Sequence, residues 1–557
     1  MGPTVVRWSA LATFAFAIAP GVVHAQTGAP TREELNPARR ATPAAPAPDL
    51  FSNPEAGPCP LAENPAALTV TAVNLQGLES VPAEALAPAY APFLNKAGGD
   101  ASDLCKIRDA VADAMFERGI LARVEIPAQT IDGGVATIEV IEAKIANVNV
   151  RGDPGPAGPV VERYAAKLRG MAPFDMRRVQ RYILLASDIP GLRVRASVRP
   201  STTGARGAVD LDLAVERDAE ELTVNAQNLQ SKFTGRWGLL GRYDLNAHGK
   251  AGQRTSMVLY RTIRNEQWVA QGTHERRLGS EGAVVRASVA YGESRPGAGL
   301  KALGLKSTNV VVNVEGAYPL LRTRRENLWV SAGIEVVEQD TKIGPAKLIN
   351  DDLRQLFLKL EGDQTVYYGY RPIVLRGQAG ARQGFEGFGS SRAGDRTLSR
   401  ADAKPDAWTL FAEGSVDVLV TPQWTVHAEV AGQYADKPLA AYAEYASGAL
   451  TIGRGYDPGY VTGDKALAAS LEVRGGPFQP WAGATFSPYA FFDVAHVSDN
   501  DRGGANQTLK SVGFGVQTPL RDNWVLDVGY ARPLDKRAIA RRKPTDRLTF
   551  NLTTRFF

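Results

Sequence analysis

The chain has 557 residues, too many for one compact core, and its 64 basic and 59 acidic side chains leave a net charge of only +5; about two or three domains are expected. So small an excess describes a solvated surface rather than a nucleic-acid binder. A mean hydropathy of −0.19 excludes a bundle of membrane helices, and 55 glycines indicate many turns.

Residues 1–25 read as a signal peptide. Arg7 supplies the positive start, Leu11 to Val23 is apolar apart from Thr13, and Val23-His24-Ala25 places small residues before a cut at Gln26. A short helical anchor is the alternative, and no later window reaches the ~18 apolar residues that a helical span needs. Residues 26–58 are rich in Ala and Pro (Pro43, Pro46, Pro48, Pro54, Pro58) and read as an extended linker, within which Thr31 to Arg40 could form a short helix. The two cysteines, Cys59 and Cys105, would cross an oxidising compartment after export, so a disulfide between them is expected; two separate buried thiols are the alternative.

Residues 59–143 and 144–218 repeat one pattern. In the first copy a strand at Leu68 to Val73 precedes a helix at Pro82 to Leu94. A second helix starts near Ser102-Asp103, with Leu104, Ile107, Val111, Met115 and Phe116 on one stripe, and ends at Gly119. Strands follow at Ala122 to Pro127 and Val135 to Ile141, separated by an Asp132-Gly133 turn. The second copy has a strand at 146–150, helices near 160–168 and 176–186, and strands at 192–198 and 208–215. The pattern predicts two β-α-α-β-β units in tandem.

From residue 221 to 557 helix periods disappear and period-two alternation takes over. Trp424, Val426, Ala428 and Val430 share one face against Thr425, His427 and Glu429; Trp524, Leu526, Val528 and Tyr530 oppose Asp527 and Gly529. A soluble sandwich alternates in the same way, so the connections decide. Sixteen strands can be placed. From the fifth onward every second gap is long (295–306, 340–353, 386–407, 437–465, 499–508, 535–545), with tight turns such as 370–372, 422–423 and 521–523 between them. Long loops on one rim and short turns on the other predict a 16-stranded antiparallel transmembrane β-barrel, both ends on the side of the tandem units. In the last strand Leu548, Phe550, Leu552, Thr554 and Phe556 form the lipid-facing set, and Phe557 adds a terminal aromatic.

The longest loop contains Gly453-Arg454-Gly455-Tyr456-Asp457, and Phe491-Phe492-Asp493 follows on a later strand. An arginine-glycine-aromatic tripeptide in that loop, with an F-x-D strand behind it, resembles the two-partner secretion outer-membrane transporters, the TpsB or haemolysin secretion/activation family of the BamA superfamily. Arg118-Gly119-Ile120-Leu121-Ala122-Arg123-Val124 with Pro127-Ala128-Gln129 resembles the end of that family's first POTRA domain, and Asp188-Ile189-Pro190-Gly191-Leu192 a turn in its second. The likeness runs over roughly residues 59–557. It implies a mainly β fold, with two periplasmic POTRA domains before the barrel. The implied activity is export of a large unfolded exoprotein to the surface, the POTRA domains capturing the client and the loop controlling the pore. The implied partners are that client, the barrel-assembly machinery during biogenesis, which would read the terminal Phe550, Phe556 and Phe557, and outer-membrane lipid and lipopolysaccharide; the protein would act as a monomer without nucleic acid.

The resemblance also implies that Arg454 docks inside the barrel against Asp493, with Gly455, Tyr456 and Phe491 around the pair. The chemistry suits these residues: arginine forks onto a carboxylate, glycine permits a sharp turn, and an aromatic packs the tip. The chain departs from the family twice, with Gly453 where an aliphatic residue commonly precedes the arginine and Ala495 where a glycine often follows the aspartate.

Enzymatic readings find little. The histidines His24, His248, His274, His427 and His496 form no H-E-x-x-H motif or close pair, and no G-x-S-x-G elbow exists. Asp499-x-Asp501-x-Gly503 reads as a polar turn rather than a calcium loop. No catalytic residue, metal or cofactor is expected. An outer-membrane assembly factor and a passive porin remain the rival functions.

Overall fold

The structure, a computed structural model, describes residues 30–37, 59, 61–62, 66–369, 371–481, 484–500, 506–521, 523–535 and 544–556. The predicted signal peptide, most of the predicted linker and Phe557 lie outside the described residues.

The first unit runs β1 (Ala72–Gln76), α1 (Ala83–Tyr90), α2 (Asp103–Glu117), β2 (Ala122–Glu125) and β3 (Val135–Glu142). Its sheet has the order β1-β3-β2, with β1 parallel to β3; the two helices provide the crossover that a parallel pair requires. Leu104, Ile107, Val111 and Met115 are buried with Leu86, Ile138 and Val140, while Phe116 is half-buried. Cys59 and Cys105 are joined by a disulfide, Cα atoms 5.8 Å apart, that ties the segment before β1 to α2. β1 begins four residues beyond the predicted start at Leu68. The intervening backbone bonds to loops instead, Leu68 N–H to Gly99 C=O and Thr71 N–H to Gly134 C=O.

The second unit comprises β4 (Lys144–Gly152), α3 (Gly158–Ala166), α4 (Met176–Ser187), β5 (Leu192–Pro200) and β6 (Ala208–Arg217), in the sheet order β4-β6-β5. Asp175 caps α4 by accepting from the backbone N–H groups of Arg177 and Arg178. This unit packs onto three turns at the near rim of the barrel. Asp188 holds Arg322 through two bonds of 2.6 and 2.7 Å, Tyr182 donates to Glu281 at 3.1 Å, and Arg217 donates to the Asn246 carbonyl at 3.1 Å.

Sixteen long strands form the closed antiparallel barrel among the described residues. They are β7 (Glu220–Gln227), β8 (Gly238–Leu245), β9 (Arg254–Thr262), β10 (Gln267–Leu278), β11 (Ala283–Ser294), β12 (Leu305–Arg322), β13 (Glu326–Ile343) and β14 (Ala346–Tyr368). They continue as β15 (Arg371–Gly384), β16 (Trp408–Thr421), β17 (Trp424–Ala435), β20 (Lys465–Gly475), β22 (Ala484–Ser498), β23 (Gln507–Arg521), β24 (Trp524–Pro533) and β25 (Arg547–Phe556). Between them lie a small far-rim hairpin of β18 (Tyr445–Ser447) and β19 (Val461–Gly463), and the short near-rim strand β21 (Phe478–Trp481); the sequence reading has none of these three. β25 closes the barrel on β7, Phe556 opposite Leu222.

Alternation decides what faces where. Leu467, Leu471 and Val473 are exposed on the outer wall, while Ser470 and Glu472 between them are buried toward the lumen. Leu548 and Phe556 likewise face outward and Arg547 inward. Such a belt of exposed Leu, Val and Phe would be unfavourable in water and suits lipid. One predicted loop is overturned: residues 340–353 are mostly strand, because β13 and β14 continue their pairing to a tight turn at Gly344, φ +56°. The polar Asp340, Lys342 and Lys347 there break the apolar alternation but not the backbone ladder.

Residues 30–37 lie inside the barrel instead of trailing as a linker. They make a single turn in which Thr31 Oγ1 accepts from the Glu34 N–H while a Glu34 carboxylate oxygen accepts from the Thr31 N–H at 2.9 Å, a capping box. Arg32 pairs with Glu335 at 2.9 Å and sits 4.6 Å from the centre of the Tyr442 ring. Leu35 is buried among Leu240, Val258, Tyr260 and Val269.

Candidate functional site

The loop between β17 and β20 folds back into the lumen, and the β18–β19 hairpin braces it. At its tip Gly453 has φ +126°, backbone that side chains with a Cβ rarely adopt. This accounts for glycine at the position before the arginine. The neighbouring aliphatic residue, Ile452, is buried with Ala431, Ala468 and Ala495, so the small Ala495 forms part of the wall against which the loop packs. Gly455 passes the wall so closely that a Cβ would lie 2.7 Å from Ser511 Cβ and 3.0 Å from Pro533 N.

Arg454 reaches a row prepared by strand register. Ser470 of β20, Asp493 of β22 and Ser511 of β23 lie opposite one another on adjacent strands and face the lumen. The Arg454 guanidinium forks onto Asp493, Nη2 to Oδ1 at 2.8 Å and Nε to Oδ2 at 3.2 Å, and its backbone N–H adds a third bond at 2.9 Å. Ser470 and Ser511 hydroxyls donate to the same carboxylate at 2.8 and 3.2 Å. Glu472 takes Nη1 of Arg454, and the Phe491 ring lies beneath the guanidinium at 3.4 Å from its centre. Asp493 is 1% exposed; five donors and a full counter-charge offset the desolvation of a carboxylate so placed. The ring adds cation–π attraction and excludes water from one side.

Tyr456, also 1% exposed, donates its hydroxyl to the Lys510 carbonyl at 2.9 Å and accepts from the Asp535 N–H at 3.2 Å. Its ring lies 5.1 Å from that of Tyr460. Below the clasp, toward the near rim, a cavity of about 420 Å³ is lined by Arg454, Glu472, Arg474, Tyr489, Asp527 and Asn551. Arg454 thus lines that cavity while its guanidinium holds Asp493.

Several contributors carry no sequence signal beyond being polar residues on alternating strands: Ser470, Glu472 and Ser511. A second cluster at the far rim is equally silent. Arg400, from the loop after β15, donates to Glu444 and Asp464 at 2.9 Å each and lies 3.7 Å from Asp499. Glu444, Asp464 and Asp499 converge as cation ligands would, and the guanidinium occupies that place. Burial pushes the Glu444 carboxyl up to about 7, against the lowering influence of Arg400. His248 and His274, apart in sequence, come together with the Thr255 hydroxyl between them at 3.0 and 2.9 Å. Phe550 packs on Trp237 and Phe556 on Trp524 at the outer wall.

Comparison with known proteins adds the family. Residues 294–518, which include the arginine loop and the F-x-D strand, match the haemolysin secretion/activation protein family ShlB/FhaC/HecB. Residues 68–143 match the ShlB-type POTRA domain. A sequence search of curated proteins finds no match. Among solved structures, CdiB from Escherichia coli superposes with a TM-score of 0.70 at 15% identity, over 94% of this chain and 96% of that one. CdiB from Acinetobacter baumannii gives 0.62 at 14% identity, covering 93% and 95%. BamA from Haemophilus ducreyi lacking POTRA domains 1–3 gives 0.53 at 12%, covering 88% and 100%. At such identities the structures speak for the fold, and the family matches speak for the lineage. The POTRA region sits in the periplasm in this family, so the near rim is periplasmic and the far rim extracellular. Over residues 68–143 and 294–518 the chain thus matches the haemolysin secretion/activation family, the two-partner secretion transporters of the outer membrane.

Proposed function

We propose that this protein exports a large unfolded exoprotein from periplasm to cell surface, and that the loop carrying Arg454 closes the pore until the client arrives. The observation that carries the reading is the clasp: a loop from the extracellular side is drawn into the lumen and held by five donors on Asp493. Residues 30–37 form a second obstruction, fixed through Arg32 to Glu335 and Tyr442. A lumen filled from both ends of the sequence argues against a passive porin. The two periplasmic units would capture the client by strand addition at the free edges of their sheets. Opening needs no nucleotide: contacts with the client replace the contacts of the loop, and folding of the client outside draws it onward.

Deleting the gene and comparing extracellular with outer-membrane proteins tests this. Loss of one or a few large surface proteins is expected; a broad loss of barrels would mean an assembly factor instead, and no protein change would mean a porin. Arg454→Ala should insert normally, judged by heat-shifted migration of the folded barrel, yet export several-fold less client. Normal export by that variant would remove the loop from the mechanism.

A further inference from the structure

The last strand carries an arginine that neither the motif nor the pattern of the chain singles out. Arg547 opens β25 and its side chain is 2% exposed. Nη1 donates to the Tyr456 carbonyl at 2.7 Å and to Asp457 Oδ1 at 2.6 Å, and Nη2 donates to the Leu229 carbonyl at 2.9 Å. Two of these acceptors belong to the arginine loop and the third to the segment after the first barrel strand. Arg236 approaches Asp457 as well, at 3.6 Å.

The place of Arg547 in the wall matters. The β25–β7 ladder runs from Phe556–Leu222 to Asn551–Gln227 and stops there. Beyond it one backbone bond, Asn228 N–H to the Phe550 carbonyl at 3.1 Å, is joined by side-chain bonds: Asn228 Oδ1 accepts from the Phe550 N–H at 2.8 Å and Asn228 Nδ2 donates to the Leu548 carbonyl at 2.9 Å. The bond from Arg547 to Leu229 is the next rung of this side-chain seam. Its guanidinium is thereby fixed to the wall on one edge, leaving the other edge for the loop.

We infer that Arg547 is a second positioning residue for the pore loop, acting from the opposite side of the tripeptide to the Asp493 clasp. The inference rests on the proposed reading that this loop closes the lumen. The two clasps have opposite polarity. At Arg454 the loop gives a cation to carboxylates of β20 and β22; at Asp457, three residues on, the wall gives a cation to a carboxylate of the loop. A loop held at one point can pivot about it, whereas one held at both spans the lumen. Removing the guanidinium leaves the Tyr456 carbonyl with the Ala449 N–H of its own loop but without a donor from the wall, which favours a displaced loop.

The test uses the full-length protein in planar lipid bilayers, reading the fraction of time a channel is open, with heat-shifted migration reporting the folded barrel. Arg547→Ala and Asp457→Asn should each raise the open fraction about fivefold or more. Arg547→Lys should raise it less than Arg547→Ala, because one ammonium serves fewer of the three acceptors. Asp457→Asn should add little in an Arg547→Ala background, while Arg454→Ala should add to either. Should Arg547→Ala not fold, Asp457→Asn, which spares the wall, and Arg547→Lys carry the same comparison. A role confined to barrel stability would leave Asp457→Asn at the wild-type open fraction. If Arg454→Ala opens the channel and these variants do not, Arg547 is no loop anchor and the reading of the loop stands. If none of them opens it, both fall together.

Discussion

The first β-α-α-β-β unit meets its neighbour through backbone bonds and the ion pairs Lys144–Glu79 and Arg206–Glu139, whereas the second is also packed onto three periplasmic turns of the barrel. At the junction Met176 N–H reaches the Gly119 carbonyl at 2.7 Å and Phe174 N–H the Ala143 carbonyl at 2.7 Å. At the barrel, Asp188 forks onto Arg322 and Leu185 and Ile189 press against the turns at Gly282 and Gly252. One topology, written twice in similar patterns around two separate cores, thus adds a covalent tie in one copy and a docking contact in the other. The first copy contains the disulfide; the second draws on the barrel as a rigid partner.

Cutting the internal staple should separate the copies most. With the cysteines 46 positions apart, loop entropy predicts that Cys105→Ser costs the first unit about 4 kcal/mol. Limited proteolysis should then cleave within residues 66–142 while the barrel and the second unit stay intact. A first unit as resistant as before would end the contrast. Next in size is the external anchor. Arg322→Ala should weaken docking of the second unit by about 2–3 kcal/mol, since a largely buried forked pair is broken. Spin-label distances between α4 and the barrel should broaden, and exchanging the two charges in Asp188→Arg/Arg322→Asp should restore part of the order; unchanged distances would mean that the turns alone hold the unit.

The smallest effect concerns pH and the first unit alone. The Lys106 ammonium beside Asp103, helped by Lys96, holds its carboxyl at about 2 against the effect of burial. A carboxyl whose folded value lies below its unfolded 3.8 stabilises the fold above that value and loses the contribution as pH falls from about 4 to 2. Both lysines are nearly half exposed, so about 1 kcal/mol is expected after solvent screening. Acid titration of the isolated transition by circular dichroism, compared with Asp103→Asn, measures it. Equal acid stability of the two proteins would assign the sensitivity elsewhere.

The barrel strands were legible because lipid and lumen impose opposite demands on successive residues, and a period of two survives in any stretch long enough to cross the membrane. Residues 340–353 misled because beyond the membrane that demand ends while the backbone ladder continues. The contact of Arg454 with Asp493 was implied by resemblance and not by pattern. Its companions Ser470, Glu472 and Ser511 depend on register, and a shift of one residue would turn each of them to lipid. Arg547 and Arg400 show the same limit: an arginine on a strand or in a loop becomes an anchor only when segments 90 and 64 residues away bring it acceptors.

The sequence by itself determined the tandem units, the transmembrane wall, its direction and the loop that bears the arginine, since each follows from local periodicity, turn chemistry or a short motif. Tertiary structure alone decided that residues 30–37 enter the lumen, that the second unit is fastened to the barrel, and that the loop is clasped from two sides. Those contacts join surfaces distant along the chain, and closing the barrel is what sets their geometry.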